Sequence, residues 1–83
     1  MRNLNNVMKE KIRHILEEAL PLVNLDSDFL FAELDSLGVT MIMMTLSDKY
    51  GIHLDVADAT PRNLRSLDSI VAMVENKIAE KKQ

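Results

Sequence analysis

Few residues in this chain can do chemistry, and Ser36 stands first among them. It follows Asp35 and opens the run Ser36-Leu37-Gly38-Val39-Thr40, which predicts the start of a helix after an acidic loop. A serine at such a first turn presents its hydroxyl at the surface. The helix N-terminus adds unbonded N–H groups and a partial positive charge, which suit a phosphate ester. Asp and Ser are also preferred helix caps, so Asp35 or Ser36 can be there for capping alone. Asp68-Ser69 repeats the dipeptide near the start of another predicted helix, so the pair by itself does not decide. His14 falls on the polar side of a predicted helix and His53 in a turn, neither with a ligand or nucleophile at a useful spacing. No His/Asp/Glu spacing suggests a metal site. Cysteine is absent, which leaves no disulfide, no thiolate zinc site and no cysteine nucleophile. Any thiol chemistry must arrive on a cofactor, and the chain is not expected to be an enzyme.

The elements that must position these residues are helical. Leu4, Val7, Met8, Ile12, Ile15, Leu16, Ala19 and Leu20 form one apolar face opposite Lys9, Arg13 and Glu17, and Pro21 closes that first helix. Residues 22–35 then make a long connection with Asn24, Asp26 and Ser27 as turn formers. Leu25, Phe29, Leu30, Phe31 and Leu34 are placed to pin it, with a short helical turn near 28–32. A second helix is predicted from Ser36 to about Tyr50, ended by Gly51. Leu37, Met41, Ile42 and Leu46 can share its buried face, which leaves Val39, Met43 and Met44 at least partly elsewhere, some of them as a docking strip near Ser36. Thr60 caps a short helix with Pro61 at its first position. The last helix starts near Ser66 or Leu67 and runs to about Ala79 on the stripe Leu67, Ile70, Val71, Val74 and Ile78, with Glu80-Lys81-Lys82-Gln83 fraying. The expectation is one all-α domain over residues 1–83, a four-helix bundle of three main helices and one short one.

Composition bounds the function. The 83 residues are 47% apolar and 28% charged, the balance of a folded domain. Polar residues interrupt every apolar stretch before Pro21, so no signal peptide and no membrane span is expected, and the cytoplasm is the default. The net charge of −3 is unevenly spread: residues 1–23 sum to +1, residues 24–60 to −6 and residues 61–83 to +2. Such an acidic middle repels nucleic acid and anionic lipid and attracts basic protein patches.

The run Phe31-Ala32-Glu33-Leu34-Asp35-Ser36-Leu37-Gly38-Val39-Thr40-Met41-Ile42-Met43-Met44 resembles the attachment site of acyl carrier proteins and related carrier domains. In that family an Asp-Ser-Leu triplet opens the second helix. The likeness extends along nearly the whole chain, through the long loop with Phe29, the ending Asp48-Lys49-Tyr50-Gly51-Ile52, the acidic turn, and Leu67-Asp68-Ser69-Ile70-Val71 opening the last helix. The resemblance implies covalent 4'-phosphopantetheine on Ser36, placed by a separate phosphopantetheinyl transferase. Asp35 would orient the transferase or its metal, and Leu37 would pack at the base of the arm. It implies a monomeric carrier of acyl thioesters between partner enzymes of fatty-acid, lipid or secondary-metabolite synthesis. Glu33, Val39, Thr40, Met43, Met44, Asp48 and Asp58 are the expected partner surface. Two features depart from the common pattern: Glu33 stands where many members have glycine, and the second helix has no acid before Asp48. The latter resembles specialised carriers, including D-alanyl and peptidyl ones loaded with amino acids. A helical interaction module without a prosthetic group, its Ser36 a simple cap, is the remaining alternative.

Overall fold

A computed structural model describes residues 4–82, with side chains described from Asn6 onward. Three helices carry the fold: α1 (Leu4–Ala19), α2 (Ser36–Tyr50) and α3 (Leu67–Lys81). Two single 3-10 turns, Leu30–Glu33 and Val56–Asp58, shape the connections, and no strand occurs among the described residues. Each helix leans an apolar stripe on the other two. Ile12 and Leu16 of α1, Ile42 and Leu46 of α2, and Ile70 and Val74 of α3 meet with no side-chain surface left to solvent. Leu25, Leu30, Leu54 and Leu64 close the core from the loops. The side chain of Leu4, counted above on the apolar face, lies outside the described residues.

The long connection is held as expected in part. Leu25 and Leu30 are buried and Leu34 half-buried, and the helical turn forms at Leu30–Glu33, slightly later than predicted. Phe29 and Phe31 do not pin the loop; they are 68% and 37% exposed. Leu25 and Leu30 are the side chains that carry this loop into the core, and the Leu30 N–H donates to the Arg65 carbonyl at 2.7 Å. The bases of α1 act on neighbouring segments too. Arg13 meets Asp26 of the loop at 2.7 Å, and Lys9 meets Asp68 of α3 at 2.9 Å.

Gly51 ends α2 in the left-handed conformation at φ 61°, as its position predicts. The short helix predicted at Thr60-Pro61 is only one turn. Thr60 Oγ1 accepts from the Asn63 N–H at 3.1 Å and the Thr60 carbonyl from Leu64 at 3.0 Å. The turn cannot propagate, because Ser66 must be extended (φ −154°) to cap α3, and the Arg65 carbonyl is already taken by Leu30. Conversely α3 continues past Ala79 to Lys81, whose ammonium donates to the Gly51 carbonyl and ties the helix end to the end of α2. Gln83, expected to fray, lies outside the described residues.

The ion pairs give stability a pH limb. The Arg13 guanidinium, by its hydrogen bond and then by its charge, holds Asp26 below the ordinary carboxylate value of 3.8. For Asp58, burial pushes the carboxyl upward, but the Asp55 N–H and the Lys77 ammonium outweigh it and the net direction is down. A carboxylate depressed in the folded state stabilises it above the unfolded pKa, and the benefit fades as pH falls through the folded value. The urea midpoint should therefore hold steady toward pH 4 and decline below it. Asp58→Asn should flatten that acid limb; an unchanged limb would show that Asp58 is not one of the groups responsible.

Candidate functional site

Two segments meet at Ser36: the end of the 3-10 turn, running out through Leu34, and the first turn of α2. Asp35 is the N-cap. Its backbone is extended (φ −97°, ψ −179°), its Oδ1 accepts from the Gly38 N–H at 2.7 Å, and its carbonyl accepts from Val39 at 3.0 Å. A Cβ on residue 38 would sit 3.3 Å from that carboxylate oxygen and 3.4 Å from Leu34 Cδ2, so glycine lets the cap approach closely. Ser36 is the first helical residue and is exposed. Among the described residues its hydroxyl has no hydrogen-bond partner, and nothing accepts from the N–H groups of Ser36 and Leu37. Its carbonyl accepts from the Thr40 hydroxyl at 2.9 Å.

Asp68-Ser69 shows how different this is. There Ser66 is the cap, its Oγ accepting from the Ser69 N–H at 3.2 Å. Asp68 is used by Lys9, and the Ser69 hydroxyl lies 3.2 Å from that of Ser66. One dipeptide is consumed by its own helix start. At the other, the acid caps and leaves the serine free.

Grooves flank the Ser36 corner on both sides. One, of about 650 Å³, has Phe31, Leu34, Val39, Met43, Met44 and Val56 among its walls. The other, of about 310 Å³, runs between Leu22, Leu37 and Met41 past Asp35. Neither has a basic side chain in its lining. The histidines are elsewhere: His14 lies 3.5 Å from Glu18 beside a cleft between α1 and α2, and His53 lies 3.8 Å from Asp55. No group of His, Cys, Asp or Glu able to hold a metal occurs among the described residues.

The predicted partner residues divide. Glu33, Thr40, Met44 and Asp48 are exposed, and Val39 is half-buried at the groove wall. Met43 is only 6% exposed and forms the groove floor, while Leu37, expected inside, is 67% exposed. Packing against α1 and α3 makes the exchange: Val39, Ile42, Met43 and Leu46 turn inward together with Met41 half-buried beside them, and Leu37, Thr40 and Met44 follow one another at i, i+3 and i+7 on the exposed side. Asp58 is drawn inward as well. It closes a capping box with Asp55 and pairs with Lys77 at 3.2 Å, which leaves its side chain 17% exposed. Sequence reading missed Leu22 and Val56, 98% and 90% exposed beside these grooves. The available signal was an apolar residue with no partner at helical spacing, after Pro21 in one case and between acids in the other.

The family described as phosphopantetheine attachment site matches residues 6–74, most of the chain, from the first turn of α1 to the middle of α3. The chain belongs to that family. No curated protein and no solved structure matches it. Members are non-catalytic carrier proteins that bear 4'-phosphopantetheine covalently on a serine and work with transferase and synthase enzymes. This carrier protein fits that group: it holds an exposed, unbonded serine hydroxyl at a helix N-terminus, flanked by open apolar grooves. No helix among the described residues is long and apolar enough to cross a membrane.

Proposed function

We propose that Ser36 is the serine that carries the arm, and that the protein shuttles acyl intermediates as thioesters between enzymes of fatty-acid, lipid or secondary-metabolite synthesis. The observation that carries this is the contrast between the two Asp-Ser pairs: only the Ser36 hydroxyl is both exposed and unengaged. A phosphopantetheinyl transferase would join the Ser36 oxygen to the pantetheine-side phosphorus of coenzyme A. The pyrophosphate P–O bond breaks, adenosine 3',5'-bisphosphate leaves, and the serine proton passes to a base on the transferase. Once attached, the group supplies a flexible arm ending in a thiol.

The chain's own residues contribute position. Asp35 keeps the first turn of α2 fixed by its bond to Gly38, so the hydroxyl is displayed at a defined place. That carboxylate also faces the transferase or its metal, and Leu37 offers an apolar contact at the arm's base. Thr40, Met44 and Asp48, with Glu33 and Val39, make the proposed docking strip. Tethering keeps the cargo near each partner at an effective concentration of about millimolar order. The work calls for soluble enzymes, and the proposed setting is a cytoplasmic monomer.

One feature favours a second reading, a D-alanyl or peptidyl carrier: the exposed residues of α2 after Ser36 are Leu37, Thr40 and Met44, without acid before Asp48. Loading discriminates. The pantetheinylated protein should accept acyl groups from acyl-activating ligases, read as thioester mass. Aminoacyl loading alone would overturn the acyl assignment in favour of the second reading.

A further inference from the structure

A patch of opposite character adjoins the Ser36 corner. A groove of about 380 Å³ is walled by Phe29, Phe31, Ala32, Pro61, Arg62 and Arg65. Phe31 also lines the larger groove at Ser36, so the two surfaces are continuous. The patch is held in place from below. The Leu30 N–H donates to the Arg65 carbonyl at 2.7 Å, Leu30 is fully buried, and the Phe29 N–H is held by Ser27 Oγ at 3.0 Å. The Arg65 guanidinium lies over the Phe29 ring, 5.9 Å from its centroid. Among the described residues neither Arg62 nor Arg65 forms an ion pair, whereas Lys9, Arg13 and Lys77 all do.

Exposed phenylalanines beside unpaired arginines are the composition of a protein contact, where aromatic and guanidinium groups supply most of the anchoring. We propose that this patch docks an acidic protein segment with apolar anchors, separate from the contacts made around Ser36. Charge complementarity selects the occupant. The groove lining holds two guanidinium groups and no carboxylate, in a chain whose overall charge is −3. Carboxylates on the partner satisfy Arg62 and Arg65, and its apolar side chains cover Phe29 and Phe31. Asp28 and Glu33 are exposed on the same loop but lie outside the groove lining. The partner's carboxylates must then be placed at Arg62 and Arg65, as on a folded segment, and not spread over the whole surface, as on an anionic bilayer. The carrier therefore has two adjoining faces, an acid-rimmed one at Ser36 for partners with basic rims and a guanidinium-phenyl one for an acidic partner.

The test uses the full chain and two synthetic amphipathic peptides with the same leucine and tryptophan face. One carries glutamates on its polar face and the other lysines at those positions. Amide chemical shifts should move for residues 28–32 and 62–66 with the glutamate peptide only, and the affinity should fall as salt is raised. The double substitution Arg62→Gln with Arg65→Gln should weaken binding by about tenfold or more. Phe29→Ser should weaken it as well, and both exposed variants should keep the native helical spectrum. Equal binding of the two peptides, or binding indifferent to the arginine pair, would overturn the proposal. So would shifts centred on Lys11 and Lys49 in the cleft between α1 and α2. Concentration-dependent shifts at the patch without peptide would instead assign it to a second copy of this chain and likewise overturn it. The arginine variant should still be modified at Ser36 as readily as the native chain; loss of that modification in all forms would count against the Ser36 reading instead.

Discussion

Ser36→Ala should abolish phosphopantetheine attachment while leaving the fold and its stability nearly unchanged. The separation of the two effects follows from the geometry. The cap of α2 is Asp35, not Ser36, and the Ser36 hydroxyl has no partner to lose among the described residues. Alanine is also a better helix former than serine, so the expected change in stability is within about 0.5 kcal/mol. Attachment, by contrast, needs the oxygen itself and should vanish. Ser69→Ala provides the control, because it reverses the pattern. It removes the hydroxyl that lies 3.2 Å from Ser66 Oγ and should disturb the start of α3 slightly, while attachment proceeds as in the native chain. Mass spectrometry and urea unfolding on the same three proteins read both quantities. Attachment to the Ser36→Ala protein would sink the assignment. A strongly destabilised Ser36→Ala would show that the serine has a structural role after all.

The second large effect is on the fold. Leu46→Ala should lower the unfolding free energy by about 2–5 kcal/mol, the usual cost of emptying a fully buried leucine site. Leu46 has no exposed surface and sits where α2 meets the other two helices. A domain of this length has only about 4–12 kcal/mol in total, so the change removes a large share. Met44→Ala, two residues away but 67% exposed, should cost no more than about 0.5 kcal/mol. Urea midpoints at unchanged slope test the pair. Similar losses from both substitutions would mean that α2 does not face the core as described.

That comparison also marks where the sequence could and could not be read. The outer helices were legible because their apolar residues keep to one face, so Ile12, Leu16, Ile70 and Val74 were placed correctly from spacing alone. The second helix has apolar residues at 37, 39, 41, 42, 43, 44 and 46, nearly all round, and its period does not choose a face. Tertiary packing made the choice, and Leu37 and Met43 changed places. Capping was legible where it is local: Asp35 before α2, Gly51 after it and Thr60 before its single turn all have the expected chemistry. The length of the Thr60 turn was not, because the bond from Leu30 to Arg65 spans 35 positions and leaves no trace in either segment. Asp58 was lost to the partner surface for the same kind of reason, through a lysine 19 positions later.

Ser36 was singled out in the sequence only by resemblance. Local chemistry rated it no higher than Ser69; the structure distinguishes the two hydroxyls, since Asp35 caps α2 by itself while the Ser69 hydroxyl lies 3.2 Å from that of Ser66, and this contrast supports the proposal. The most direct test is therefore the site of modification in the native chain. After incubation with a broad-specificity phosphopantetheinyl transferase and coenzyme A, intact mass followed by peptide fragmentation should show a single phosphopantetheinyl addition, on Ser36. No addition, or an addition found on Ser69 or any other residue, would contradict the account.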